Sequence, residues 1–538
     1  MKTSLLAPLL ELVAPLRLVA VLTCMTFGLA PGQGQVVQDW THTMTLGAYG
    51  AMITRDAQDA IYVTGHSNRI VTAKFAANGT LLWQVAFSNP GTTENAAWLT
   101  VDPFGDVLVA GYLVSASGAP QGQALLKYDP NGNLLWSHLD PSTGGLWSLS
   151  RVATDANGDV IVIGEALGGV VKKYSRAGVL LWTRPVAVNY LKGLAVDAGG
   201  SVFVAGNLAT SMVTAAFDPA GNALWSRTTP LATSATDLAL GPAGEVYVAG
   251  AAIAIGQNLS LVAKFAANGT PAWVLSYPGL QVRRLAVDRH GDVVCISGVI
   301  GIGGFDWRTQ KISPAGTVLW STNYNRHLHN DELPYALTIG PDDEIYVTGQ
   351  GGPGPTTGDL RYLKTVTVRY SRSGVEEWWV ANSFSLRGLG VARLSDNSIA
   401  TVGESTFTVF HYMQSAVWRS LDGALAGSAG VPHLEGTASP RSAAPVTLEV
   451  SRGLANAPTW LIGGVSRINL PLFGGVLVPA PDLLLGGFTL STSGRLSLPL
   501  TWPVGLPPAF EITFQAWIAD PAAAFGFSAS NGLAGVNG

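Results

Sequence analysis

Short β-branched runs that stop at a glycine set the rhythm of this chain. IYVTG, VLVAG, VIVIG, VFVAG, VYVAG, VCISG, IYVTG and IATVG close on Gly65, Gly111, Gly164, Gly206, Gly250, Gly298, Gly349 and Gly403. Each run is apolar on both faces, as a strand packed between two neighbours requires. The stretch Val196 to Trp225 shows the full unit. A strand ends in an Asp-Gly turn, the glycine-terminated strand follows, then a third strand, a Pro-Gly turn and a fourth strand opening Leu-Trp. No helical 3.6-residue period competes with this alternation.

The fourth strands carry a tryptophan series in the same phase: Trp83, Trp136, Trp182, Trp225, Trp273, Trp320 and Trp378, with Trp418 as an irregular eighth. The octapeptide AKFAANGT occurs twice, at Ala73–Thr80 and Ala263–Thr270. Four short strands per unit, repeated at roughly 48 residues, are the signature of propeller blades. The expected fold is all-β, with about eight four-stranded blades; seven remain open if the weak unit Leu394–Trp418 is only partial. Trp40, in QDWTHTMTL, reads as a lone fourth strand that completes the last blade and closes the ring. One Trp per unit is core first, each burying roughly 150–250 Å².

The turns explain the recurring Asp, Asn and Gly. DPFGD, DANGD and DRHGD join first to second strands, and DPNGN or AANGT join third to fourth. Asp and Asn side chains cap such turns and Gly supplies positive φ. The Asn-x-Thr sequons at Asn78 and Asn268 fall in these turns and are accounted for by the same chemistry.

At 538 residues the chain is too long for one ordinary core. Only 12% of residues are charged, with a net charge of -4, which leaves no basic face for nucleic acid. Residues 1–30 read as a signal peptide: Lys2, then Arg17 before the uncharged run Leu18–Ala30, with Gly28 and Ala30 at the small-residue positions of a cleavage site. That run is 13 residues, too short to span a bilayer. Localisation is therefore expected to be extracellular or cell-surface, with the periplasm also open. Of two cysteines, Cys24 lies in the leader, so Cys295 is alone in the mature chain and no internal disulfide forms. Within DVVCISG, Cys295 reads as a buried, inert thiol.

The repeats resemble the secreted bacterial SBBP-like and delta-60-like β-propeller families, and more distantly the quinoprotein-type propellers. In the latter a D-x-x-G-x-x-x-W turn docks Trp between blades, a pattern present here as Asp218, Gly221, Trp225 and as Asp129, Gly132, Trp136. The resemblance covers roughly residues 35–420 and implies the architecture. It carries no quinone site: the vicinal disulfide and acid cluster of those enzymes have no counterpart, and no cofactor is expected.

Residues 421–445 are rich in Gly, Ala, Ser and Pro and read as a linker. Residues 446–538 hold only seven charged residues, and segments such as VTLEV, LSLPLTW and FEITFQAWI alternate between turns. They predict a small antiparallel β-sandwich. It is similar to a C-terminal β domain recurrent in secreted bacterial proteins.

Function is expected on the face where loop lengths vary: Tyr112–Gln123, Ala251–Asn258, Val299–Asp306, Thr322–Leu333 and Gln350–Leu360. One cluster there is chemically suggestive, NRHLHNDE, where His327 and His329 point the same way if extended and Asp331 or Glu332 adds an oxygen. These are the metal candidates; no catalytic residue is assigned. His66 and His411 each follow a repeat strand near the channel. The reading is a noncatalytic secreted scaffold, a monomer, holding a protein or glycan. Two alternatives stand: a propeller lyase or hydrolase using His327 or His329, and a structural surface component attached through the C-terminal domain.

Overall fold

The computed structural model describes residues 36–537, apart from short stretches of which the longest are 142–147, 327–330, 352–363 and 383–386. The chain divides into a unit Gln38–Met413 and a second unit containing Gln414–Gly538. The first is an eight-bladed β-propeller. Its eight antiparallel four-stranded sheets follow the repeats, and the eighth combines Gly388–Arg393, Ile399–Gly403 and Thr408–Gln414 with the N-terminal strand Val36–Thr43. The first strand of each blade packs against that of the next, and Gly388–Arg393 returns to Tyr49–Arg55. Eight blades, closed by the Trp40 strand, thus replace the seven-blade alternative.

Every blade but the seventh is joined to the next through a hydrogen bond from its tryptophan. Trp83 Nε1 donates to Pro130 O at 2.9 Å, Trp182 to Pro219 O at 3.1 Å, Trp225 to Ala267 O at 3.0 Å and Trp320 to Arg372 O at 2.8 Å. The acceptor always lies in the third-to-fourth turn of the following blade. The turn glycine lies flat on the ring. A Cβ on Gly221 would come 2.8 Å from Trp182, and Gly221 holds φ +82°, so only glycine fits. Trp40 makes the same bond across the seam, to Ala77 O of the first blade at 3.1 Å.

The Asp of the first-to-second turn has two roles. Asp102 Oδ1 accepts from Phe104 N and Asp106 N, each at 2.9 Å, as turn capping demands. Its Oδ2 receives Lys127 Nζ at 2.9 Å, both side chains fully buried. Lys127 lies opposite Trp136, and the same register sets Lys173 opposite Trp182 and Lys311 opposite Trp320. Lys173 reaches Asp155 at 2.9 Å and Lys311 reaches Asp288 at 2.8 Å. In the fourth blade Ala216 takes that position.

Three of the expected long loops are strand extensions instead. Val107–Ser115 pairs with Pro120–Tyr128, Val246–Ala254 with Gln257–Phe265, and Val293–Ile300 with Phe305–Ile312. Pairing satisfies backbone groups that a loose loop would leave to water.

In the second unit a six-stranded sheet and a three-stranded sheet share one core. The segment expected as a linker carries the strand His433–Thr437, and Leu434 is buried in that core. Trp418 is not a blade tryptophan. Its strand Val417–Leu421 pairs with Gly532–Val536, and the indole lies 5.5 Å edge-on from Trp502. Gly436 and Gly535 make room for it: a Cβ on either would fall within 2.7 Å of the ring. Among the described residues no helix is long and apolar enough to cross a membrane.

Candidate binding site at the channel mouth

A bulge interrupts every first strand, opposite the glycine that ends the second in seven blades and opposite Ser297, one residue before that glycine, in the sixth. The register slips between Gly50 and Met52, Ala96 and Trp98, Leu149 and Arg151, and Leu191 and Gly193. It slips again between Ala235 and Asp237, Val282 and Arg284, Pro334 and Ala336, and Gly388 and Gly390. The opposed glycine has no room for a side chain there; a Cβ on Gly206 would sit 2.3 Å from Tyr190 O. A bulge leaves one residue outside the ladder and re-aims it. The eight extra residues are Ala51, Ala97, Ser150, Lys192, Thr236, Arg283, Tyr335 and Leu389, all half-buried. Two cavities, about 250 and 300 Å³, open among them and share Arg284 and Tyr335. Ser150 Oγ donates to Leu191 O at 3.0 Å and Thr236 Oγ1 to Val282 O, tying the lining of adjacent blades together.

The residues after four of the bulges meet across the axis. Arg151 of the third blade forms an ion pair with Asp237 of the fifth at 2.7 Å. Its guanidinium stacks 4.2 Å over Trp98 of the second blade, and Arg284 of the sixth lies 5.5 Å from the same ring. Asp237 is held by Leu285 N at 3.0 Å. Above this floor Arg283 lies 4.6 Å over Tyr335, which Arg387 approaches to 5.6 Å. Arg387 pairs with Glu404 at 3.1 Å, and its Nε shares the Gln350 amide oxygen with the Tyr335 hydroxyl. Among the described residues the buried Arg283 Nε has no hydrogen-bond partner.

Crowding of like charge marks this mouth. Burial, then the charges of Arg151 and Arg284, lower the Lys192 ammonium below its ordinary value. Burial and Arg387 lower Arg283, the Tyr335 ring acting against them. Among the described residues the cations Arg151, Lys192, Arg283, Arg284 and Arg387 gather here with the carboxylates Asp237 and Glu404.

Of the residues singled out from sequence, His327 and His329 lie outside the described residues. Asp331 serves the backbone: Oδ1 accepts from Phe305 N at 3.1 Å and its carbonyl from Gln350 Nε2 at 2.9 Å. Among the described residues no group of three His, Cys, Asp or Glu is placed to hold a metal. His66 does line a cavity, stacked 5.6 Å from Tyr49, and burial lowers its pKa. His411 does not; it is buried against Trp40, with Nε2 2.9 Å from Ser398 Oγ. The channel cations escaped the sequence reading, although one signal was available. Each bulged residue stands five positions before the residue that opens the next turn, as Lys192 does before Asp197 and Arg283 before Asp288.

An eight-bladed propeller with a polar, cationic channel mouth is thus the class of protein that fold and site define. A family profile described as outer membrane protein assembly factor BamB matches residues 28–215, well under half of the chain. The C-terminal WD40 domain of Sif2 is similar in structure at 9% identity, with 71% of this chain and 99% of that chain covered and a TM-score of 0.51. BamB from Moraxella catarrhalis superposes at 16% identity, covering 70% and 98%, with a TM-score of 0.47. The Sif2 likeness shows the fold alone. No curated protein matches the chain.

Proposed function

We propose that this protein is an exported, noncatalytic propeller scaffold that holds a partner protein at its channel mouth. The observation that carries this reading is the bulge ring: seven of eight equivalent backbone positions deliver side chains of six kinds (Ala, Lys, Thr, Arg, Tyr and Leu) to one cavity system, on a frame fixed by Trp bonds. A rigid scaffold with varied residues at equivalent positions is how repeat folds build recognition surfaces. The match of the first blades to a profile named for an assembly factor supports a protein partner over a small substrate. The leader Lys2–Ala30 supports export, to the periplasm or the cell surface. The second unit, residues 446–538 with the strands preceding it, is assigned to attachment.

Site-specific photo-crosslinking tests the reading. A benzoylphenylalanine at Thr236 or Leu389 should give adducts in cell-envelope extracts, and one at Asn131, in a turn on the opposite edge of its blade, should not. Adducts confined to Asn131 would overturn it.

A further inference from the structure

We propose that the larger cavity of the mouth seats one aromatic side chain of the partner protein, against Tyr49 and Leu389 and over Ala51 and Ala97. This rests on the reading of the mouth as the face that holds a protein, and names the side chain that anchors it.

Short residues at re-aimed positions open the space. The bulges of blades four to seven carry Lys192, Thr236, Arg283 and Tyr335, whereas those of blades one and two carry Ala51 and Ala97. Gly50 and Ala96, which precede the two alanines, are equally short, and about 300 Å³ opens among the four. An apolar cavity of about 150 Å³ already accepts benzene, so this one has room for a phenol or indole ring.

The lining selects the chemistry. Gly50, Ala51, Ala96, Ala97 and Leu389 bring no polar side-chain atom to it. A sugar set against them would give up hydroxyl bonds to water and gain none, which favours an apolar ring. The charged groups on the lining are already engaged within the protein. Glu404 pairs with Arg387 at 3.1 Å, and Arg284 lies 5.5 Å from the Trp98 ring, so a neutral occupant suffices.

Tyr49 favours an aromatic occupant over an aliphatic one. Its ring stacks on His66 at 5.6 Å and 29°, yet half of the residue is exposed. One face is thereby fixed, and the other is open to an incoming ring in the offset geometry that aromatic pairs prefer. Tyr335 is used differently, with Arg283 and Arg387 set against its ring. An aromatic side chain seated in such a pocket is the kind that dominates affinity between proteins.

Ligand-observed fluorine NMR on the full chain tests this. The reporter is the neutral peptide acetyl-Gly-Ser-Trp-Ser-Gly-amide with fluorotryptophan at its centre. Competitors are the unlabelled peptide, its Tyr, Phe and Leu analogues, and diacetylchitobiose. The reporter signal should broaden, little affected by salt because no charge is used. An aromatic peptide should displace it about fivefold more effectively than the Leu peptide. Y49A, at an exposed ring, should weaken binding about fivefold at an unchanged melting temperature, and A51W/A97W should abolish it. L224A, on the exposed fourth strand of the fourth blade, should bind as wild type does. No broadening, equal competition by the Leu peptide or the sugar, or undiminished binding in Y49A would overturn the proposal. Cross-linking still confined to the mouth in that event would leave the scaffold reading standing.

Discussion

The indole of Trp40 donates to the carbonyl of Ala77 at 3.1 Å, the same bond that joins neighbouring blades elsewhere, here made by a strand from the other end of the ring. Thr41 Oγ1 to Val409 O at 3.1 Å and the Thr43–Thr408 hydroxyl pair at 3.0 Å hold that strand to its blade. Gly79 presses on the Trp40 ring, where a Cβ would come within 2.5 Å. Closure therefore uses the repeat's own joint.

The joint has one exception, and it is testable. Among the described residues buried Trp378 Nε1 has no hydrogen-bond partner, because the eighth blade is built from two chain segments and so lacks the hairpin turn that supplies a carbonyl elsewhere. Trp→Phe at Trp40 or Trp225 should cost about 0.5–1.5 kcal/mol for the lost bond, beyond the change in ring volume. At Trp378 that part of the cost should be missing. Urea midpoints of the three variants check this.

Lys127 tests the buried ion pairs. With Asp102 at 2.9 Å and Asp106 at 3.1 Å, its removal strands the Asp102 carboxylate in the interior, while Asp106 keeps Arg176 at 3.1 Å. K127M should destabilise by about 3–5 kcal/mol. K127M/D102N should recover part of that, since Asn keeps the turn-capping oxygen without the charge and the fourth blade tolerates Ala216 at the same register. Chemical denaturation of both variants decides it.

Asp343 gives the propeller an acid sensitivity. Burial raises its carboxyl, but His290 at 3.0 Å, Arg372 and Arg289 outweigh that and hold it at about 2, below the ordinary 3.8. A depressed carboxyl stabilises the fold above its unfolded value, and that contribution disappears as pH falls from about 4 to about 2. It is worth about 2 kcal/mol at neutral pH. Asn tolerates the positive φ of 60° at this site. D343N should therefore unfold more readily than wild type at pH 7, and the gap should close by pH 2. Melting curves across that range measure it.

Cys295 should be silent until the fold opens. Burial pushes its thiol up to about 11, and Tyr277 Oη lies 3.2 Å from Sγ. In a C24S background, a thiol reagent at pH 8 should find no reactive group in the native protein and one equivalent after denaturation.

Much of the propeller was legible because its signals are local. The phase of Gly206 and Trp225, and the Asp-x-x-Gly turns between them, need no knowledge of distant residues. The second role of Asp102 was hidden because it depends on Lys127, brought near only by strand register. Trp418 matched the series by type and spacing, yet its strand pairs with Gly532–Val536, a contact no local pattern records. The channel site was harder still. Equivalent bulges carry Ala51, Ser150, Lys192 and Tyr335, so position, and not residue type, is the shared signal.

Filling the mouth tests directly whether the partner is held there. Ala51 and Ala97 stand half-buried in the larger cavity, where tryptophans would occupy the space without breaking a blade joint. Affinity capture from envelope extracts should be compared between wild type and A51W/A97W, at matched melting temperature. The plugged propeller should lose the partners that wild type retains and that cross-link at Thr236. Full retention of those partners by A51W/A97W would contradict it.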